Sequence, residues 1–215
     1  MKLYGHPFSS YTQKVLIALY ENATPFDYVH LGEAAADGEH RRLWPVKKMP
    51  TLEDRGRVVL EATVIVEYLD LRYPGPARMI PADADAALEV RMLDRIFDHY
   101  VMAPMQKIVG DHLRPAGARD PHGVQEAHAL LDTAYRWLDG RLAGREWAAG
   151  REFTLADCAA APSLFYADWV HPVPETLPAL RACRARLLQR PSFARCVDEA
   201  RPYRDFFPPG APARD

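Results

Sequence analysis

The sequence predicts a small mixed α/β domain over residues 1–76, followed by an all-helical domain over residues 84–205. Three observations carry this. Short period-two runs alternate with helical spacing up to about residue 73, a Pro-Gly-Pro cluster then breaks the pattern, and only helical spacing follows.

Lys2-Leu3-Tyr4-Gly5 reads as a strand closed by Gly5 and Pro7. Tyr11 to Asn22 carries Val15, Leu16, Ala18 and Leu19 at helical spacing, and Phe26 to Leu31 alternates as a half-buried strand. Ala34 to Val46 is charged and rich in Gly and Ala, which predicts a short irregular helix and a loop. Thr51-Leu52-Glu53-Asp54 and Arg57-Val58-Val59-Leu60 flank Arg55-Gly56, a hairpin signal. A helix from Glu61 to Tyr73 follows, with Ile65, Tyr68 and Leu69 on one face. The order βαβ, short helix, ββα suggests a small mixed sheet with helices on both faces.

Pro74-Gly75-Pro76-Ala77 begins a linker that reaches Asp83. Leu88, Met92, Leu93, Ile96, Phe97 and Tyr100 mark one face of a long helix, which Pro104 should kink or break by removing an intrahelical bond. Val124, Ala127, Leu131, Ala134 and Leu138 mark the next helix. Thr154 caps another, with Asp157 three residues on as in a capping box and Phe153 and Cys158 as its hydrophobic staple. Helices near residues 177–188 and 192–200 complete the bundle, and the tail around Phe206-Phe207-Pro208-Pro209 reads as extended or mobile.

Composition excludes more than it assigns. With 48% hydrophobic residues, 26% charged residues and a net charge of −2, the chain gives no argument for nucleic acid or an anionic membrane surface. Three cysteines without CxxC spacing argue against a disulfide framework and against a zinc site. No basic segment followed by an apolar run opens the chain, so a reducing cytoplasm is the expected compartment.

The most informative stretch is Lys48-Met49-Pro50-Thr51-Leu52. A proline directly before a short strand cannot donate to the ladder. It either ends a loop in trans, or sits in a cis bond that leaves the Met49 backbone free to grip a peptide-like ligand.

Read with Ser9-Ser10-Tyr11-Thr12-Gln13-Lys14-Val15, Trp44-Pro45-Val46-Lys47, Glu61-Ala62-Thr63 and Phe153-Thr154-Leu155-Ala156-Asp157, the chain resembles the cytosolic glutathione transferase family from Lys2 to about Tyr203. The resemblance implies a thioredoxin-like first domain, glutathione as co-substrate without a metal, a small hydrophobic electrophile and a homodimer.

The implied task is to hold the glutathione thiol as thiolate. Lowering a thiol pKa from about 8.5 by two units requires roughly 2.7 kcal/mol. A hydroxyl donating to the charged sulfur supplies about 1.5–3 kcal/mol, and a helix N-terminus adds about 0.3–1. One serine at the start of the first helix is therefore sufficient. Ser10 and Gln13 match a capping box, which would leave Ser9 to face the sulfur; Ser10 is the rival candidate. Other classes of the family use a tyrosine in the first strand, but by alignment that position falls on Gly5 and Tyr4 points to the opposite face.

The resemblance further implies that the backbone of Met49, fixed by cis-Pro50, pairs with the cysteinyl residue of glutathione. Glu61 would accept from the γ-glutamyl amine, and the N–H groups of Ala62 and Thr63 would take its carboxylate. His40 and Lys48 would meet the glycine carboxylate. Tyr11, Met102, Met105, Ile108, Phe165, Tyr166 and Trp169 would wall the electrophile pocket.

Two departures matter. Ala62 stands where most members carry a serine, and Lys47 where they carry a glycine. They keep open a binding protein without catalysis. A glutathione-dependent isomerase or dehalogenase is the other alternative. Against the maleylacetoacetate isomerase-like version stands Ser9-Ser10-Tyr11, where that class has Ser-Ser-Cys.

Overall fold

The computed structural model describes residues 1–215. Strands β1 (Lys2–Gly5), β2 (Asp27–His30), β3 (Thr51–Asp54) and β4 (Arg57–Val59) form one sheet in the order β2-β1-β3-β4. The β1–β2 pair is parallel because α1 (Ser10–Glu21) crosses over between them; β1–β3 and β3–β4 are antiparallel. Arg55 (φ 50°) and Gly56 (φ 78°) form a two-residue hairpin turn whose positive φ angles match the strand twist. Helices α2 (Ala34–Leu43) and α3 (Ala62–Arg72) complete this half. It is the mixed α/β unit expected: β1 and β3 have the expected bounds, while β2 lacks Phe26 and Leu31 and β4 lacks Leu60.

After residue 83 the chain is helical: α4 (Ala84–Ile96), α5 (Ala103–His112), α6 (Pro121–Leu142), α7 (Leu155–Val170), α8 (Pro178–Gln189) and α9 (Pro191–Ala200). Pro104 has no N–H for the turn before it, and the chain adapts with a π-helical stretch, Phe97–Met102, between α4 and α5. Helix α7 is the spine, with every residue from Leu155 to Trp169 buried. Its N-terminus is the expected capping box of Thr154 and Asp157. Asp157 also accepts from the Ala148 N–H at 2.8 Å, and burial pushes its carboxyl up to about 6.

Two expectations are corrected. On α4 the buried face is Ala87, Val90, Leu93 and Asp94, continuing through Phe97, Asp98 and Val101, while Leu88, Met92 and Tyr100 are exposed. The tail is neither extended nor free. Arg201–Phe206 forms a 3-10 turn, and Phe207 is buried with its ring 5.0 Å from that of Trp169. The Arg214 guanidinium then donates to the Asp168 carbonyl at 2.9 Å.

No helix is long and apolar enough to cross a membrane.

Candidate active site

A cleft of about 580 Å³ lies between the two halves. From the α/β half it is lined by Ser9, Tyr11, Trp44, Lys47, Lys48, Met49, Pro50, Glu61, Ala62 and Thr63. From the helical half come Arg95, Asp98, His99 and Gln106. The loop after β1, the segment before β3 and the N-terminus of α3 thus converge, as their positions in the sheet require.

Ser9, not Ser10, is the N-cap of α1. Its backbone is extended and its Oγ accepts from the Thr12 N–H at 3.4 Å. Capping uses a lone pair, so the hydroxyl proton stays free to donate. Ser10 is the first helical residue, buried and absent from the cleft wall. Gln13 forms no capping box with it; its amide Nε2 donates to the Pro7 carbonyl at 2.9 Å and to the Tyr166 hydroxyl at 3.1 Å.

Tyr4 is fully buried, and its hydroxyl donates to Glu53 at 3.0 Å. Gly5 leaves no room for a side chain, since Thr12 Cγ2 lies 2.5 Å from where its Cβ would sit. Tyr11 borders the cleft, its phenol pushed up to about 12 by burial and by Asp98.

The Met49-Pro50 bond is cis, and both residues line the cleft. Lys47 has φ 59°, a conformation that glycine adopts freely and other residues rarely do. Glu61 has φ 66° and precedes α3 without capping it, so the first N–H groups of that helix meet no side chain.

The Thr63 hydroxyl cannot stand in for the one that Ala62 lacks, because a buried ion cluster holds it. It accepts from Lys14 Nζ at 3.0 Å and donates to Asp94 at 2.9 Å. Lys14, whose side chain is 1% exposed, is paired with Asp94 and lies 2.9 Å from Asp98. Arg95 bonds Asp94 and Asp98, each at 2.6 Å, and also reaches Thr63 Oγ1. Burial raises the Asp98 carboxyl against the pull of Lys14 and Arg95. This cluster ties α1 and α3 to α4, so it sets the width of the cleft.

His40 does not reach the cleft. Its ring nitrogen lies 3.1 Å from Thr51 Oγ1, it borders a separate hollow behind Met49, and burial lowers its pKa. Lys48 is exposed at the cleft, with Trp44 and Lys47 beside it. Met102, Met105, Ile108, Phe165, Tyr166 and Trp169 are buried in the core and do not line the cleft. The helical half presents polar side chains there instead. Sequence reasoning missed Arg95, Asp98, His99 and Gln106 because it followed apolar spacing. The usable signal was the polar i, i+4 pair Arg95 and His99, which continues to Gln106.

Comparison with known proteins agrees with this geometry. The family description "Glutathione S-transferase, N-terminal domain" matches residues 3–77, and "Glutathione S-transferase, C-terminal domain" matches residues 121–191. A maleylpyruvate isomerase from Ralstonia sp. is 28% identical over 211 residues, covering 94% of this chain and 99% of the relative. A stringent starvation protein A homolog from Coxiella burnetii is 27% identical over 206 residues, covering 93% and 92%. A glutathione S-transferase from Methylobacillus flagellatus, solved with GSH bound, superposes with a TM-score of 0.81 at 28% identity, covering 91% and 98%.

Proposed function

Given that the chain belongs to the glutathione S-transferase family, we propose that it binds glutathione in this cleft and holds its thiol as thiolate through Ser9. The observation that carries the reading is the free hydroxyl of Ser9, placed at the N-terminus of α1 on the cleft wall. A hydroxyl donor and a helix N-terminus together supply about 2–4 kcal/mol, enough to lower a thiol pKa by about two units. The serine never ionises; it only donates.

The rest of the tripeptide follows the wall. The Met49 backbone pairs with the cysteinyl residue, and Glu61 accepts from the γ-glutamyl amine. The open N–H groups of Ala62 and Thr63 take the neighbouring carboxylate, and Lys48 takes the glycine carboxylate. His40 has no part, being spent on Thr51. We read the chain as two domains, 1–76 and 84–205, with glutathione between them.

The electrophile is polar rather than hydrophobic, because His99 and Gln106 stand where apolar residues were expected. This favours a second reading, an isomerase in which the thiolate adds to an anionic unsaturated substrate and leaves again. The name of the Ralstonia relative points the same way. A reading without catalysis draws on Ala62 and on the starvation-protein relative, and predicts no thiolate.

Val64, Tyr68 and Leu71 on α3 and Leu88 and Met92 on α4 form an outward face beside the Arg91–Glu67 ion pair. All of them are exposed except the half-buried Tyr68. A second copy covers this face in the proposed homodimer. Three free, buried cysteines accord with a cytoplasmic enzyme.

Turnover of glutathione with an aryl halide and with a cis-enedioate, compared in one preparation, tests the substrate class. Faster reaction with the enedioate supports the polar wall. Preference for the aryl halide contradicts it.

A further inference from the structure

The helical half brings one cation to the N-terminus of α3, and it is fixed there before any ligand arrives. Arg95 donates from Nε to Asp94 at 2.8 Å and from Nη2 to Asp94 and Asp98, each at 2.6 Å. Those bonds set the plane of the guanidinium. Its Nη2 also touches Thr63 Oγ1, on the first turn of α3. Nη1 donates to no protein group, while the side chain is 43% exposed and lines the cleft. One edge of the fork is thus spent on the protein and Nη1 is left without a protein partner.

The same first turn of α3 that Nη2 touches carries the N–H groups of Ala62, Thr63 and Val64, which no side chain caps. Ala62 and Thr63 line the cleft with Arg95. The Thr63 hydroxyl is committed to Lys14 and Asp94, and Ala62 has none. Lys14 and Arg95 cancel Asp94 and Asp98 in formal charge. An anion therefore gains from the directed Nη1 donors and the helix end rather than from net charge.

We propose that Arg95 binds the γ-glutamyl carboxylate of glutathione through Nη1, replacing the hydroxyl that Ala62 lacks. This rests on the glutathione reading above. Arg95 is a binding residue, and the remaining donors of the subsite are the backbone of α3. Because Asp94 and Asp98 hold the guanidinium in place, little side-chain freedom is lost on binding.

Calorimetric titration of the whole protein tests it with two ligands. One is glutathione. The other is 4-aminobutanoyl-cysteinyl-glycine, which is glutathione without that carboxylate. Arg95→Gln should weaken glutathione by about 10- to 100-fold, the worth of one charge-assisted hydrogen bond, and the truncated ligand by less than about twofold. Arg95→Lys keeps the charge beside Asp94 and Asp98 but not the fork, and should lose affinity for glutathione alone. It carries the same comparison if Arg95→Gln does not fold. Equal losses for both ligands overturn the proposal, since Arg95 would then act only by holding α4 against α3. Failure of the wild type to bind glutathione removes the underlying reading, and that result is seen before any variant is made.

Discussion

Two helix N-termini face the same cleft and are finished in opposite ways. Helix α1 is capped by Ser9, whose Oγ accepts from the Thr12 N–H. Helix α3 is preceded by Glu61 at φ 66° and has no side-chain cap. A capped end meets its own backbone needs and still presents an O–H donor, which suits a charged sulfur. An open end leaves backbone donors unmet, which suits a carboxylate supplied from outside. Far from the cleft, α7 carries the full Thr154–Asp157 box, buried and serving stability alone. The difference teaches that two helix ends on one cleft can offer a ligand different donors, a side-chain hydroxyl at α1 and uncapped backbone N–H groups at α3.

The largest test breaks the link between the two ends. Lys14 lies on α1 and touches Thr63 on α3 as well as Asp94 and Asp98. Lys14→Met leaves the buried Asp94 and Asp98 with Arg95 as their one remaining cation and should cost about 3 kcal/mol in denaturant unfolding. Asp98 is raised by burial, so the folded form takes up its proton first, and the loss should shrink as pH falls. A cost below about 1 kcal/mol would show that the cluster does not hold the helices together.

The next pair sharpens the contrast, because the two ends should respond with opposite signs. Glu61→Gly relieves about 1–3 kcal/mol of positive-φ strain against about 0.5–1 kcal/mol of added chain entropy, so stability should rise. Glutathione affinity should fall by about tenfold or more as the amine loses its acceptor. Ser9→Ala should instead destabilise by about 1 kcal/mol as a lost cap. Melting curves and titrations of both variants decide this, and a shared sign of stability change would defeat the contrast.

Thr154→Ala should cost about 1 kcal/mol with no change in glutathione affinity, since its helix end lies away from the cleft. The smallest effect is electrostatic. Arg145 and Arg141 hold Glu89 below the usual carboxylate range. The stability it adds, about 0.5 kcal/mol, is complete above pH of about 4.3 and fades as pH falls through the lowered folded value. Glu89→Gln should flatten that acid limb of the stability curve.

Local chemistry was legible in the sequence. Arg55-Gly56 marked the hairpin, Pro74-Gly75-Pro76 the linker and Thr154 a cap, because each acts through neighbouring residues. What escaped depends on partners distant in sequence. Asp94 on α4 and Asp98 in the π-helical stretch after it sit on the buried face because Lys14 and Arg95 neutralise them there. Apolar spacing therefore picked out the exposed Leu88 and Met92 instead. The tail is held by Arg214 on Asp168 and by Phe207 on Trp169, neither visible in a Pro-rich run. The choice between adjacent serines turned on a single residue of cap register, which spacing alone does not resolve.

The most direct test of the central claim is the ultraviolet thiolate absorbance of bound glutathione against pH, in wild type and in Ser9→Ala. The account predicts a wild-type thiol pKa about two units below that of a free thiol, rising by about one unit or more when the Ser9 hydroxyl is removed. A depressed pKa that Ser9→Ala leaves unchanged would contradict it.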